Sequence, residues 1–371
     1  MPHRILTAAD IAEAVEHRRA LEEDYYGLRY LRFKDSHKGA PRGTVVLGER
    51  VIYGYPQIGR VLRLETGLRE QFKAPVWVEE KVDGYNVRVF RHGHGLLGLS
   101  RGGFICPFTS DRAGDFLPMA LFDDHPELVV CGEMAGPDNP YMEGCPPYVT
   151  RDVRFSVFDV MVSGAPGFLP VAERLALVER YALPGAEVFG RYALDDPQPI
   201  KEILLAINAD GREGVVLKED SPRQKRAKYV TSNTSISDIR LTALNLLDLP
   251  PEYFTNRILR LVLFMDEEQL RPEPELHRRL GSAFLDGLFE AVHQYQREGR
   301  VYHRYRCRFH ERENAERLID RLKATAKHSQ IRITPHSLER DGDYWLLEFD
   351  KDFLRIAGTL AHLTGGGLVF D

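Results

Sequence analysis

Short extended runs separated by turn-forming residues fill the middle of this chain and most constrain its fold. Between residues 76 and 231 the runs are VWVEEKV, NVRVF, LLGLS, LVVCGEM, VRFSVFDV and GVVLKE. β-Branched and aromatic residues favour strands, whereas the glycine, proline and aspartate between them favour turns. Only residues 171–181 and 200–208 carry clear helical periodicity here. The pattern therefore predicts an α+β fold built on antiparallel sheets.

The chain has 371 residues, too many for one ordinary core, since a domain typically holds about 100–200 residues. We expect a small N-terminal module at residues 1–70, which opens on a helix capped by Thr7. The strand-rich stretch lies in residues 71–235. Helical periodicity then predicts a helical domain at 236–300, and a small α+β domain follows at 301–371.

Charge and composition describe a globular protein with local cationic patches. Hydrophobic residues make up 43% of the chain and charged residues 28%, both close to the average for globular domains. The formal net charge of −5 argues against a uniformly basic nucleic-acid binder, because neutralising phosphates requires clustered lysine and arginine. Such clusters occur locally at 223–228, RQKRAK, and among the five arginines of 297–308.

Cysteine spacing and hydropathy indicate the redox compartment of the protein and whether it contains a membrane helix. The four cysteines form neither a CxxC pair nor a regular framework, which favours a reducing cytoplasm. A membrane helix requires about 20 apolar residues. The best candidate, residues 258–265, is short and is interrupted by Arg260. We therefore expect a cytoplasmic protein with no membrane partner.

The most specific motif is EEKVDGYN, in which Lys81 lies at the end of an apolar strand, just before a turn. A lysine is a nucleophile only as the neutral amine, and burial, neighbouring cations or a nearby metal ion lower its pKa toward that form. Arg226 and Lys228 would supply such cations from one side of a strand. The DG dipeptide makes the turn, with glycine permitting a positive φ or a close backbone approach. Taken alone, Lys81 would be a solvated strand end.

Further motifs follow Lys81 in order along the chain. They are SRGG at 100–103, CGEMAGPDNPY at 131–141, VRFSVFDV at 153–160, REGVVLK at 212–218 and RAKY at 226–229. With KVDGYN, they resemble the motif series of the covalent nucleotidyltransferases, the superfamily of DNA ligases, RNA ligases and mRNA capping enzymes. The extension GPDNPY is similar to the homodimeric, archaeal-type ATP-dependent RNA ligases.

The resemblance implies a nucleotidyltransferase (ATP-grasp-like ligase) core of antiparallel sheets, with a small N-terminal module and a helical plus α/β C-terminal region. It assigns Lys81 as the catalytic residue, which forms a covalent lysyl-AMP. It places Glu79 near the adenine amino group and Arg101 at the ribose, and Asn86 belongs to the KxDGxN form typical of RNA ligases. The implied cofactor-binding residues are Glu79, Asp83, Gly84, Asn86, Arg101, Glu133, Phe158, Lys218, Arg226 and Lys228.

The later motifs imply metal, base and phosphate contacts. Glu133 and Glu213 are the expected metal-organising carboxylates, and Mg²⁺, with Mn²⁺ as the alternative, pairs with carboxylate and phosphate oxygens. Phe158 would stack on adenine. Arg226 and Lys228 would point at the α-phosphate, although DNA ligases more often carry lysine at both positions.

Lys218 is a weaker candidate than the other basic residues of these motifs. Its position is usually basic in the superfamily. Strand alternation, however, puts Lys218 on the face opposite Glu213. We therefore expect it to lie away from the metal-organising carboxylate.

The implied reaction joins a 5′-phosphate end to a 3′-hydroxyl end of single-stranded RNA at the expense of ATP, with single-stranded DNA left open as a substrate. A DNA ligase and a capping guanylyltransferase remain as alternatives, but both normally carry an OB-fold, a five-stranded barrel, after the last motif. Residues 236–300 instead have helical periodicity. A non-catalytic nucleic-acid-binding protein with a ligase-like core is the third alternative, and the intact Lys81 argues against it.

Two surfaces outside the motifs are candidates for partners. The archaeal-type ligases dimerise through the segment that corresponds to residues 236–300, where ILRLVLFM could supply an apolar face; an intramolecular helix contact is the competing explanation. The alternating run at 301–309 puts Arg304, Arg306 and Arg308 on one strand face, where they could contact RNA phosphates.

Overall fold

The computed structural model describes residues 4–327 and 329–368. Its strands in those ranges are β1 Ala20–Tyr25, β2 Leu28–Phe33, β3 Val45–Leu47, β4 Arg50–Ile52, β5 Gly59–Arg60, β6 Val76–Lys81, β7 Tyr85–His92, β8 Gly95–Ser100, β9 Leu128–Ala135, β10 Arg154–Val162, β11 Val188–Tyr192, β12 Gly214–Glu219, β13 Arg226–Val230, β14 Tyr302–Phe309, β15 Ile331–Asp341 and β16 Tyr344–Phe353. Its α-helices are α1 Ala8–Glu16, α2 Leu64–Gln71, α3 Pro107–Arg112, α4 Met119–Asp124, α5 Val171–Arg180, α6 Gln198–Ala209, α7 Ser232–Thr242, α8 Glu252–Glu267, α9 Pro274–Glu298, α10 Arg312–Ala326 and α11 Leu354–Thr364.

Two sheets form the centre of the fold. One has the strand order β10-β9-β7-β8 and the other the order β11-β6-β12-β13-β5. Neighbouring strands are antiparallel except for β13 and β5, which are parallel. The chain passes from β6 of one sheet into β7 of the other through residues 82–84. The predicted α+β fold on antiparallel sheets is confirmed.

The N-terminal segment covers part of one face of the β10-β9-β7-β8 sheet. Its first helix carries the predicted Thr7 cap, with reciprocal bonds between Thr7 and Asp10. Phe33 and Ile52 share a buried cluster with Phe90 of β7 and Val129 of β9. Because residues two apart on a strand share a face, the same face continues beyond this cover.

A fully buried arginine ties the N-terminal segment to this sheet. The Arg88 guanidinium donates to the carbonyls of Tyr53, Gly43 and Ser100, at 2.9 Å to Gly43 and 3.0 Å to Ser100. A buried cation is tolerated only when hydrogen bonds satisfy it. The desolvation cost is offset here by carbonyls from two parts of the chain, which fixes those parts relative to each other.

The C-terminal third is helical and then forms a small sheet. Helices α7, α8 and α9 pack together, and the strands that follow form a three-stranded antiparallel sheet of order β14-β16-β15. Phe309 of β14 and Leu318 of α10 join Val87 and Val130 in one buried cluster, on the other face of the β10-β9-β7-β8 sheet. Over the described residues after β13 there is no five-stranded barrel, as the sequence predicted.

The three arginines of β14 lie on one face as predicted, but their charges are compensated within the chain. Arg304 pairs with Asp350, and both Arg306 and Arg308 pair with Asp341. Arg308 also pairs with Asp138, which follows β9. These ion pairs connect β14 to neighbouring segments, but Arg304 and Arg306 stay 53% and 47% exposed, so their contact with RNA remains a prediction.

Two further observations concern the expected cellular setting. All four cysteines are free thiols. Of the helices in the described ranges, none combines the length and apolar character that crossing a membrane requires.

Candidate active site

The face of the β10-β9-β7-β8 sheet that the N-terminal segment leaves open meets the second sheet at a cleft. Strands β6, β12 and β13 contribute one wall, and β7, β9 and β10 contribute the other. Eight of the residues predicted from the motifs line this cleft, namely Glu79, Lys81, Asn86, Arg101, Glu133, Phe158, Lys218 and Lys228.

Strand register explains why these side chains converge. Glu79 and Lys81 are two positions apart on β6, so their side chains share the strand face that points to the cleft. In the other sheet, Asn86 of β7 lies directly opposite Glu133 of β9. Side chains directly opposite on antiparallel strands are neighbours. The two motifs therefore meet although they are far apart in sequence.

Gly84 stands where the chain passes between the sheets. A Cβ placed there would lie 2.6 Å from the Met134 carbonyl oxygen and 2.9 Å from Cγ of Glu133. Such contacts are well inside van der Waals separation. Close backbone approach, one of the two reasons anticipated, therefore accounts for this glycine.

Lys81 is paired with a carboxylate. Its Nζ donates to Glu213 Oε2, and the side chains of Lys81 and Glu213 are 20% and 13% exposed. Burial favours the neutral amine, but the negative charges of Glu213, Glu133 and Asp83 outweigh it and raise the pKa of Lys81. The expectation that the surrounding protein groups lower this pKa is corrected, because the nearest charges are acidic.

Two carboxylates near Lys81, those of Glu133 and Asp83, have raised pKa values. Burial, with the charges of Glu213 and Asp83, raises the pKa of Glu133 to about 8. Burial and the Glu213 charge raise the pKa of Asp83 to about 7. Carboxylate oxygens are the ligands that a hard divalent cation prefers, and a cation would relieve this repulsion. Glu133 and Glu213 therefore fit the predicted metal-binding role chemically, although the described residues hold no preformed cluster of three or more ligands.

Lys228 faces the cleft without a carboxylate partner among the described residues. Burial, with the positive charges of Lys81 and Arg60, lowers the pKa of Lys228 to about 8. Lys228 pairs in register with Arg60 of β5, which brings the second cation alongside. A phosphate in the cleft would favour the charged form of Lys228.

Glu79 and Lys218 form a buried ion pair in the cleft wall. Lys218 Nζ lies 2.9 Å from Glu79 Oε2, and Arg174 Nη2 lies 2.6 Å from Glu79 Oε1. All three side chains are at most 3% exposed. Both carboxylate oxygens of Glu79 are thus engaged, which fixes the position of the side chain.

The predicted placement of Lys218 opposite Glu213 is wrong. Lys218 contacts Glu79 and Glu213 contacts Lys81, and both partners lie on the same face of β6. Glu213 precedes β12, which begins at Gly214, so strand alternation does not apply to Glu213. Gly214 has a φ of +150° and approaches the Tyr229 carbonyl closely. The strand period therefore does not extend back to Glu213.

Arg226 does not reach the cleft, contrary to expectation. Its guanidinium binds the buried carboxylate of Asp159, with Nη2 3.0 Å from Oδ1 and Nε 3.2 Å from Oδ2. The ring of Phe168 lies 3.7 Å from the guanidinium carbon. Of the two cations predicted to face the α-phosphate, only Lys228 is therefore in position.

Phe158 reaches the cleft through an irregularity in its strand. The pairing of β10 with β9 shifts register between Val157 and Asp159, which leaves Phe158 unpaired. Its ring packs edge-on against Tyr55, with centroids 5.3 Å apart. Phe158 is therefore exposed to the cleft while both of its neighbours in the chain are buried.

Several residues that shape the site were not predicted from the motifs. Arg174 lies on amphipathic helix α5, and nothing in its sequence context marks it as a partner of Glu79. Asp159 and Tyr55 bond each other at 2.7 Å behind the cleft. An aspartate in the apolar strand VRFSVFDV was the one available signal, because a buried carboxylate requires a partner.

A lysine at a strand end, surrounded by carboxylates in a cleft between two antiparallel sheets, meets the requirements of a covalent nucleotidyltransferase of the ligase type. Comparison with known proteins places the chain more narrowly. Residues 74–230 match the RNA ligase family, and residues 241–367 match the family described as the Ligase Pab1020 C-terminal region.

Three relatives match this chain over most of its length. A solved Aquifex aeolicus protein, provisionally described as an ATP-dependent DNA ligase, is 51% identical, with a TM-score of 0.93 over 98% of this chain and 100% of that one. A solved archaeal ATP-dependent RNA ligase is 30% identical, with a TM-score of 0.86 over 98% of this chain and 97% of that one. The uncharacterized protein MJ0414 of Methanocaldococcus jannaschii is 30% identical over 328 residues, which are 85% of this chain and 82% of that protein.

The chain belongs to the RNA ligase family, in the group that carries the Pab1020-type C-terminal region. The resemblance predicted from the motifs is confirmed, because the likeness extends through both matched regions. Membership makes the chain an enzyme of the RNA ligase class.

Proposed function

We propose that this protein joins 5′-phosphate and 3′-hydroxyl ends of RNA with ATP, through a covalent AMP on Lys81. The observation that carries the proposal is the position of Lys81. It ends β6 inside the cleft, in contact with Glu213 and near Glu133, with Lys228 as a further cation. A nucleophile, a proton acceptor and a phosphate-binding charge are therefore within one site.

In the first step, Lys81 Nζ attacks the α-phosphorus of ATP, the bond to pyrophosphate breaks, and the amine loses a proton. Glu213 is the acceptor in position, since its Oε2 already accepts a hydrogen bond from Nζ. A divalent cation held by Glu133 and Glu213, magnesium or manganese, would supply neutralising charge for the triphosphate. Such charge on Glu213 would also remove the main influence that raises the pKa of Lys81.

In the second step, an oxygen of the RNA 5′-phosphate attacks the phosphorus of lysyl-AMP, and Lys81 leaves and regains a proton. In the third step, the 3′-hydroxyl attacks the 5′-phosphorus of the adenylylated RNA, and AMP departs. Lys228 is the residue we assign to the α-phosphate in all three steps. No other residue forms a covalent bond in these steps. Positioning of the substrates and electrostatic stabilisation of the transition state therefore account for most of the rate acceleration.

The first experiment incubates the pure protein with magnesium and α-labelled ATP or GTP, followed by denaturing electrophoresis. We expect label from ATP in the unmodified protein and none in Lys81→Ala. The control Lys73→Ala removes an exposed lysine near the start of β6 and should label normally. Label that persists in Lys81→Ala contradicts the assignment of the nucleophile, and label from GTP alone favours capping.

DNA joining is a second candidate because the Aquifex aeolicus relative is provisionally described as a DNA ligase. The two substrates are distinguished by supplying 5′-phosphorylated single-stranded RNA, single-stranded DNA and nicked duplex DNA in parallel. RNA joining at the highest rate supports the proposal. Efficient sealing of the nicked duplex without RNA joining would favour a DNA ligase.

We also propose that the protein is a homodimer formed through the helical region. Leu259 and Val262 of α8 are each 52% exposed, and Leu285 and Phe289 of α9 are 54% and 60% exposed. Large apolar side chains with this exposure on one helix face are typical of interaction surfaces. Sedimentation equilibrium should give the dimer mass, and the double substitution of Leu285 and Phe289 by lysine should give the monomer. A monomer at all concentrations in the unmodified protein contradicts the proposal.

A further inference from the structure

We propose that a groove walled by the N-terminal segment binds the RNA strand next to its reactive end. The inference rests on the proposed function. The strand groove, as we call it, is a cavity of about 700 Å³ whose lining includes Ser36, Arg42, Tyr55, Gln57 and Arg101. Its size lies within the range of about 300–1,000 Å³ that is usual for ligand sites. Most of its lining precedes the region that matches the RNA ligase family.

The strand groove adjoins the cleft around Lys81. Tyr55 and Arg101 line both cavities. At the boundary, Arg101 Nη2 donates to the Pro56 carbonyl at 3.3 Å. A 5′-phosphate that reaches the adenylate on Lys81 needs room for the rest of the strand, and we assign this groove to it.

The charges of the strand groove suit a phosphate backbone. The Arg42 and Arg101 side chains are exposed, and neither has a carboxylate partner among the described residues. Arg42 bonds locally through its backbone N–H, which donates to Ser36 Oγ at 3.2 Å. Asp35 is the one acidic residue in the lining. Two guanidinium groups that are free of ion pairs can each bind a phosphate in a bidentate way.

The groove wall is fixed relative to the cleft. A Cβ on Gly43 would lie 2.1 Å from the Arg101 carbonyl oxygen, and one on Gly54 would lie 2.2 Å from the Arg42 carbonyl oxygen. Backbone therefore packs on backbone where the N-terminal segment meets the SRGG turn. The buried Arg88 joins Gly43 and Ser100 across the same contact. The backbone at Arg42 is thus fixed relative to the SRGG turn, so binding does not require this segment to become ordered.

Arg42 separates strand binding from nucleotide binding, because it lines the groove and not the cleft. Arg101 serves both cavities and cannot make this distinction. The matched control is Arg29, which is exposed, belongs to the same N-terminal segment and lies outside the groove. Arg42→Gln and Arg29→Gln change the net charge by the same amount.

The experiment measures two reactions of each protein. The first is formation of lysyl-AMP from labelled ATP, and the second is single-turnover joining of a 5′-adenylylated single-stranded RNA over a range of RNA and salt concentrations. In Arg42→Gln we expect lysyl-AMP formation within about twofold of normal and half-saturation by RNA at about tenfold higher concentration, because a charge-assisted phosphate contact is lost. The slope of log affinity against log salt should become shallower by about 0.7, the value for one phosphate contact to a single strand.

Arg29→Gln should match the unmodified protein in both reactions. The inference is overturned if Arg42→Gln and Arg29→Gln require the same RNA concentration and show the same salt slope. It is equally overturned if lysyl-AMP formation by Arg42→Gln falls in parallel with joining, since Arg42 would then act on the nucleotide or on the fold. Failure of the unmodified protein to form lysyl-AMP would remove the proposed function and this inference together.

Discussion

Arg226 and Asp159 form a two-point ion pair beneath the cleft, with nitrogen–oxygen distances of 3.0 and 3.2 Å. Asp159 is 1% exposed and also bonds Lys218 and Tyr55. The positive charge of Arg226 is therefore used to neutralise a buried carboxylate. Lysine is common at this position in DNA ligases, and the arginine here has a structural reason, since only a guanidinium binds both carboxylate oxygens side by side.

Removing Arg226 should therefore destabilise the fold. Arg226→Met leaves Lys218, which also pairs with Glu79, as the one cation bonded to Asp159 among the described residues. Breaking a buried ion pair typically costs about 3–5 kcal/mol. We expect the midpoint of urea unfolding to fall markedly, and the double variant Arg226→Met/Asp159→Asn to recover part of the loss. A variant with unchanged unfolding but no lysyl-AMP would show instead that Arg226 binds the nucleotide.

The motifs predicted which residues line the cleft better than they predicted which groups those residues contact. Lys81, Glu133 and Lys228 reach the cleft because strand alternation holds within β6, β9 and β13. Alternation gave the wrong face for Glu213, which lies one residue before β12, next to Gly214 with its positive φ. A local period carries no information beyond the end of its strand.

The sequence did not predict which residues that are distant along the chain become ion-pair or packing partners. Glu79 and Arg174 are 95 residues apart and are both buried. Helix α5 was predicted from its periodicity, but periodicity does not reveal which buried group an arginine on that helix will neutralise. The strands of the N-terminal segment were likewise predicted from their residue pattern. The packing of this segment on β7 and β9 was not, because it depends on side chains from three parts of the chain.

Gly84→Ala should impair catalysis while leaving most of the fold intact. The added methyl would meet the Met134 carbonyl at 2.6 Å and Cγ of Glu133 at 2.9 Å, so the backbone or Glu133 must move. Overpacking of this kind costs about 1–3 kcal/mol. Displacing reacting groups by about 1 Å can lower a rate about 100-fold. The measurement is the rate of lysyl-AMP formation at saturating ATP.

Gly114→Ala is the matched control for Gly84→Ala. A Cβ at Gly114 meets nothing within 4 Å, and we expect its rate and melting temperature to be unchanged. Equal rates for the two alanine variants would show that the contact at Gly84 is absorbed without moving Glu133.

Glu133 should make the stability of the protein depend on pH when no nucleotide or metal is added. Its pKa is raised from the usual 4.5 to about 8 by burial and by Glu213 and Asp83. The folded state therefore binds this proton more tightly than the unfolded state does, so stability falls as pH rises from about 4.5 to 8. Glu133→Gln removes this contribution, and its melting temperature relative to the unmodified protein should increase between pH 5 and pH 9. A difference that is constant over this range would contradict the raised pKa.

Arg174 should control the choice of nucleotide base without touching the reacting atoms. We propose Glu79 as the acceptor for the adenine amino group, and Arg174 holds its Oε1 at 2.6 Å while Lys218 holds Oε2 at 2.9 Å. In Arg174→Gln the carboxylate loses its strongest anchor and can rotate away from the base. We expect the KM for ATP to rise about tenfold and kcat for lysyl-AMP formation to change less, because a charge-assisted hydrogen bond is lost from base positioning alone.

Discrimination between ATP and GTP separates this positioning role from a purely structural one. Guanine presents a carbonyl where adenine presents its amino group, so a fixed Glu79 carboxylate repels it and a mobile one does so less. The ratio of kcat/KM for ATP to that for GTP should therefore fall in Arg174→Gln and recover in Arg174→Lys, which restores the charge beside Oε1. A variant that melts at lower temperature yet keeps the normal ratio would assign Arg174 to stability alone, because loss of stability changes the amount of folded enzyme and not its preference between bases.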